Sequence, residues 1–313
     1  ATVKVVPPPG KDRSLIAVAS YENGVALHDP KSFALLGYAP IGGPPGDVVF
    51  SRSGDLFAPD TDGNTLTHVS RAPWEMHGVP GVNSGNEIAA DARTGDLFVS
   101  NRDVESKGAV TRITPSGTVT RVITGDTAEG LAIDSARGIV YVSNVNSNTV
   151  AQVDMRSMTV VRNIRAVERA FGLALDAPAQ RLYVVSNVSP TMRAGGGFVA
   201  AIDLRRPRAP IVRRSAAMTF PLGVALDAPR QHVFVTDEGS DIVYVLNSRT
   251  LKPVRAPLST CRTPWRPRIF GGRLYVPCAR ANQIDVFDLQ TLRRAAHAPF
   301  ATGGFPLSVA LWP

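Results

Sequence analysis

Residues 139–154 read IVYVSNVNSNTVAQVD. Ile139, Val140, Tyr141 and Val142 are β-branched or aromatic and suit an extended strand, and the Asn/Ser-rich stretch from Ser143 to Asn148 suits a tight turn. A second strand-like run, Thr149 to Val153, then closes on Asp154. Degraded copies of the opening phrase occur as IAVAS from Ile16, LFAPD from Leu56, LFVSN from Leu97, LYVVSN from Leu182, VFVTD from Val233 and LYVPC from Leu274. With VYVSN from Val140 that makes seven starts, spaced 40, 41, 43, 42, 51 and 41 residues apart. A fixed period of this length signals a repeat architecture.

Each copy sits in a longer unit. An apolar run and a turn precede it, as in GLALDAPAQ and GVALDAPRQ, and a second strand ending in Asp follows, as in FVAAID and QIDVFD. A fourth run such as TVVRNI completes the unit. Four short strands per repeat, with no sustained helical periodicity, make a propeller blade, here with strands A (innermost) to D (outermost). The C-terminal PLSVALWP matches PLGVAL at Pro221, an inner strand, whereas the first phrase has no inner strand before it. The C-terminus therefore supplies strand A to a blade whose other strands are N-terminal, which leaves no open edge. The expectation is an all-β, seven-bladed β-propeller with four-stranded blades, one domain over residues 1–313.

Composition agrees. A chain of 313 residues with 44% hydrophobic and 19% charged residues can bury a large core, and its 27 Gly and 25 Pro suit many turns. No apolar run approaches the roughly 18 residues of a membrane span. The first residue is Ala, as after removal of a signal peptide, so a periplasmic or secreted mature chain is expected, as a monomer. The net charge is +8, with Arg205, Arg206, Arg208, Arg213 and Arg214 crowded together. Such a flank suits nucleic acid or another polyanion.

The stretch YVSNVNSNTVAQVD resembles the YVTN repeat, and the whole chain resembles YVTN/YncE-like seven-bladed propellers. The resemblance covers nearly every residue and implies the fold rather than an activity. Related propellers serve as lactonases, lyases, haem-binding domains, DNA-binding proteins and adhesins.

Position five of the phrase, at Asp60, Asn101, Asn144, Asn187 and Asp237, is expected to bond the backbone of the B–C turn, and Asp154, Asp203 and Asp288 the C–D turn. In the seventh copy position five is Cys278, while Cys261 lies in the D–A connection before that blade. Both connections share one face, so the two cysteines are expected to form a disulfide closing a loop of about 17 residues.

Residues at the start of strand A should line the channel mouth. In ring order from blade one they are Leu307, Gly46, Asn86, Glu129, Phe171, Leu222 and Trp265. The next positions are Ser308, Asp47, Glu87, Gly130, Gly172, Gly223 and Arg266. One arc is thus acidic (Asp47, Glu87, Glu129, with Asn86) and the other apolar (Phe171, Leu222, Trp265). An apolar wall with a few convergent polar groups suits a small-molecule site, to which Arg266 would contribute. Met192 and Arg193 in the long B–C insertion SNVSPTMRAGGG would overhang it, on a hinge of three glycines.

The favoured expectation is binding of a small molecule or protein partner at this D–A/B–C mouth. The alternative is a metal-dependent hydrolase, lactonase-like, or a lyase. Asp47, Glu87 and Glu129 would hold Ca²⁺ or Mg²⁺, and Glu87 or Glu129 would serve as base. No GxSxG, HExxH, P-loop or dinucleotide fingerprint is present, and none of the five histidines aligns with the mouth. A third reading is DNA or polyanion binding through the Arg-rich flank.

Overall fold

Every copy of the phrase forms the second strand of a four-stranded antiparallel sheet. The computed structural model describes residues 13–71, 74–104, 107–192, 194–206 and 211–313. Among these, 28 strands build seven sheets of four. In blade four, for example, Ala128–Asp134, Ile139–Asn144, Thr149–Asp154 and Thr159–Arg165 run from the axis outward. The expected closure is present: Pro306–Trp312 pairs with Leu15–Ser20, from Leu15 opposite Trp312 to Ser20 opposite Pro306. No described helix is long and apolar enough to cross a membrane.

The core is divided into seven apolar layers, each between two adjacent blades. Blades four and five share Tyr141, Ile164, Leu182 and Ile202, and blades seven and one share Ile16, Val18, Tyr275 and Val286. A strand inside a blade therefore packs on both faces. Ile139–Asn144 is buried at every position, whereas outermost Thr159–Arg165 is exposed at alternate residues. Two-sided burial explains why the phrase reads as a nearly continuous apolar run. Arg71 adds a clasp at the closing seam, its guanidinium 5.4 Å from the Trp312 ring centroid and 6.0 Å from that of Phe50.

The C–D turn carboxylates behave as expected. Asp154 Oδ1 accepts from the Arg156 and Ser157 amides at 3.1 and 2.7 Å. Asp288 does the same for Gln290 and Thr291. Position five is more varied. Asp60 does cap its own turn, accepting from Asp62 and Gly63. Asn144 instead exchanges bonds with Thr124 of the preceding blade, and Asn187 donates to the Pro221 carbonyl of the next. An amide carries both a donor and an acceptor, so it can bridge elements where a carboxylate can only accept.

Cys261 and Cys278 are joined in a disulfide. In the glycine run of blade five, Gly196 and Gly197 are held against the neighbouring backbone. Gly197 exchanges two backbone bonds with Met218, at 3.0 and 2.8 Å, and a Cβ on Gly196 or Gly197 would strike backbone oxygens.

Candidate site in the central channel

Position four of the phrase organises the inner ring, a role the sequence reading did not assign. Ser143 Oγ accepts from Gly130 N at 2.8 Å and donates to Phe171 O of the next blade at 2.5 Å. Ser100 repeats this between Glu87 N and Glu129 O, and Thr236 between Gly223 N and Trp265 O. These hydroxyls pull neighbouring inner strands so close that glycine is needed. A Cβ on Gly130 or Gly172 would lie 2.5 or 2.6 Å from the next blade's carbonyl oxygen. The recurring Ser or Thr at Ser100, Ser143 and Thr236 was the available signal; in blade five Val185 takes that register and Ser186 Oγ donates to Glu168 O instead. Blades two and seven have Pro59 and Pro277 there and blade one has Ala19, while Ser20 Oγ one position on, like Ser308 Oγ beside the channel, has no partner among the described residues.

Where the hydroxyl ties lapse, charges take over. Arg268, in Arg268–Phe270, donates from Nη2 to Asp47 Oδ2 and to Glu87 Oε1, both at 2.8 Å. Asp47 also accepts from the Val48 and Ile88 amides, and Glu87 Oε2 from Leu131 N at 3.1 Å. Glu129 Oε2 accepts from Asn86 Nδ2 at 2.5 Å and from Arg266 Nη2 at 3.4 Å. Arg102 Nε stands 2.7 Å from Glu129 Oε1, and Arg266 Nη1 reaches across blade one to Gly46 O. Burial acts to lower the pKa of Arg268, but Asp47 and Glu87 outweigh it and raise the group above its ordinary value. It stays cationic.

The acidic arc is thus one half of an ion-pair network. Asp47, Asn86, Glu87 and Glu129 come together, joined by Arg266, Arg102 and Arg268. Sequence alignment of strand starts could not reveal Arg102 and Arg268, because they occupy neither aligned ring position. The arrangement does not fit a divalent cation. Guanidinium and amide donors already engage the carboxylates, and among the described residues no three of His, Cys, Asp or Glu could share a metal.

The apolar arc closes its end of the channel. Phe171 and Leu222 pack with Val145 and the partly buried Trp265, and Phe171 and Leu222 are only 9% and 2% exposed. Just inside remains a void of about 10 Å³ beside Phe171, Leu222, Arg266 and Arg268, room for about one water. The larger space opens at the opposite, A–B end, as a cavity of about 530 Å³. Its walls include Val49, Phe50, Ile88, Leu131 and Val309, with Arg268 and Glu87 at the inner end and Arg52 in the A–B turn of blade two. Nε and Nη1 of Arg268 have no hydrogen-bond partner among the described residues, and its side chain keeps 26% of its surface exposed. Met192, 56% exposed in its turn, makes none of the network's bonds, and Arg193 lies outside the described residues.

The Arg-rich flank is largely engaged. Arg205 makes a two-pronged pair with Asp203 at 2.9 Å, Arg206 approaches the same carboxylate at 3.4 Å, and Arg214 stacks over Phe198. Arg208 lies outside the described residues. Many other arginines bond carbonyls of a neighbouring blade, as Arg181 does Ser248 and Arg273 does Pro30.

These features define a seven-bladed β-propeller with a plugged, charge-lined channel, of the architecture found in lactonase- and YVTN-like propellers. Among solved structures, it is similar to the periplasmic gluconolactonase PpgL of Pseudomonas aeruginosa, at 12% identity and TM-score 0.72, over 96% of this chain and 99% of that one. It is also similar to Kuenenia stuttgartiensis hydrazine synthase, at 15% identity and TM-score 0.76, over 95% and 97%. A functionally unknown protein from Desulfotomaculum acetoxidans matches at 14% and 0.75, over 96% and 99%. No family model and no curated protein matches the sequence. At these identities the likeness is one of fold.

Proposed function

We propose that this chain is an exported propeller that binds a small molecule in its central channel, reached from the A–B end and anchored at Arg268, without turning it over. The observation that carries this reading is a guanidinium with two unused nitrogens, Nε and Nη1, at the inner end of a cavity of about 530 Å³ with apolar walls. A concave, mainly apolar space with a few fixed polar groups is the usual composition of a ligand site. The D–A/B–C mouth favoured by the sequence is a poorer candidate, because Phe171, Leu222 and Trp265 pack against one another there.

The hydrolase reading is weaker. Glu87 and Glu129 each accept from guanidinium or amide donors, which ties up the oxygens a base would use. The disulfide supports an oxidising, extracytoplasmic location.

Ligand-detected NMR with a fragment library rich in carbonyl and hydroxyl groups tests the reading on wild type and Arg268→Lys. Lysine keeps the charge but loses the planar donor fork. Fragments that bind wild type and lose binding in Arg268→Lys, with circular dichroism unchanged, support the proposal. Identical binding to both proteins sinks it.

A further inference from the structure

We infer that the channel ligand is an anion, a small organic acid with an apolar body, drawn in by guanidinium groups on the A–B turns. The inference rests on the channel reading above and adds the ligand's chemical class.

The A–B turns surround the open end of the channel, and four of them carry arginine: Arg52, Arg93, Arg137 and Arg230. Among the acids of these turns, Asp91, Asp96, Asp134 and Asp227 are buried, and Asp55 and Asp176 are partly buried. Asp91 accepts from the Arg93 and Thr94 amides and from the Thr94 hydroxyl. Asp134 and Asp227 are buried, at 1% and 4% exposure. The guanidiniums face outward, with the side chains of Arg137 and Arg230 still 47% and 40% exposed while pairing with Asp134 and Asp227. Arg52 is exposed, lines the cavity, and has no side-chain partner among the described residues. The D–A/B–C face is mixed in sign, with exposed Glu22, Asp62, Asp126 and Glu168 among Arg165, Arg262 and Arg280.

Inside, the three carboxylates Asp47, Glu87 and Glu129 are balanced by the three guanidiniums of Arg102, Arg266 and Arg268. The inner end is therefore close to neutral, as are the pairs Arg137–Asp134 and Arg230–Asp227, and the positive charge at the rim comes from Arg52 and Arg93, which make no ion pair with an acid among the described residues. Of the charged groups lining the cavity, Glu87 and Asp91 are buried and engaged by donors, whereas Arg52 is exposed and unpaired among the described residues, and an exposed charge at a cleft mouth attracts the opposite sign. The spare N–H groups of Arg268 are donors only, so they select an acceptor head. Val49, Phe50, Ile88, Leu131 and Val309 leave the rest of the ligand an apolar environment.

Three probes of equal length separate the possibilities: octanoate, octanamide and octylamine, titrated calorimetrically into the whole chain. Octanoate is expected to bind about tenfold more tightly than octanamide, with the advantage shrinking between about 20 mM and about 300 mM NaCl. The double variant Arg52→Gln/Arg93→Gln is expected to lose that advantage, and Arg93→Gln alone, at a residue outside the cavity wall, is expected to shrink it and leave octanamide affinity unchanged. Octanamide or octylamine binding as well as octanoate would overturn the anion inference and leave the channel reading standing. So would failure of all three probes alongside fragment hits that Arg268→Lys abolishes. Octanoate bound equally by wild type and Arg268→Lys would overturn the channel reading itself.

Discussion

Arg268 and Asp47, 221 positions apart in the chain, meet at 2.8 Å across the central channel. The same nitrogen touches Glu87 at 2.8 Å, so one guanidinium joins blade seven to blades two and three. Neither carboxylate has solvent to turn to, since Asp47 is fully buried and Glu87 is 6% exposed.

Removing that guanidinium leaves two buried carboxylates short of a partner. Arg268→Leu is expected to cost about 3–5 kcal/mol, the usual penalty for breaking one side of a buried ion pair. Adding Asp47→Asn and Glu87→Gln to it should recover part of the loss. Urea unfolding of the single and triple variants measures both; an unchanged midpoint in Arg268→Leu would contradict this role.

The hydroxyl of Ser143 ties two inner strands, while that of Ser20 bonds nothing among the described residues. Ser143→Ala strands a buried amide and is expected to destabilise by about 1–3 kcal/mol. Ser20→Ala should stay within about 0.5 kcal/mol. Equal losses in the two variants, read from denaturant midpoints, would mean that the bridge contributes nothing of its own.

The Cys261–Cys278 bond spans 17 positions and fastens the connection that leads to Trp265, Arg266 and Arg268. Cys261→Ser/Cys278→Ser is expected to lose about 3 kcal/mol in the chain-entropy account. Wild type unfolded in the presence of a reductant should match the double variant. A reductant effect that persists in the double variant would point to another origin.

His28 is fully buried. Its Nδ1–H donates to Phe33 O at 3.0 Å, and Nε2 lies 3.3 Å from the Thr302 hydroxyl. Burial lowers its pKa below the ordinary 6.5, and the Phe33 carbonyl only partly opposes this. The unfolded chain therefore takes up a proton near pH 6.5 that the folded chain refuses. The contribution is fully present above that pH and declines as pH falls through it, until the folded imidazole also protonates. His28→Gln should flatten the pH dependence of unfolding free energy between about pH 7 and about pH 5.5. Parallel curves for the two proteins would remove His28 as the cause.

The sequence by itself determined the blade number, the strand roles and the closing strand, because a repeat of about 42 residues is a local pattern and each copy confirms the others. It also placed Cys261 and Cys278 on one face, since antiparallel connectivity alternates the ends at which connections lie. It brought Asp47, Glu87 and Glu129 to one arc of the ring for the same reason. It did not show that Arg102, Arg266 and Arg268 neutralise that arc, or that Phe171, Leu222 and Trp265 close one end while the other stays open. Those outcomes depend on how long side chains from different blades reach across a closed ring, and such reach has no period in the chain. Tertiary structure alone decided which end of the channel is open.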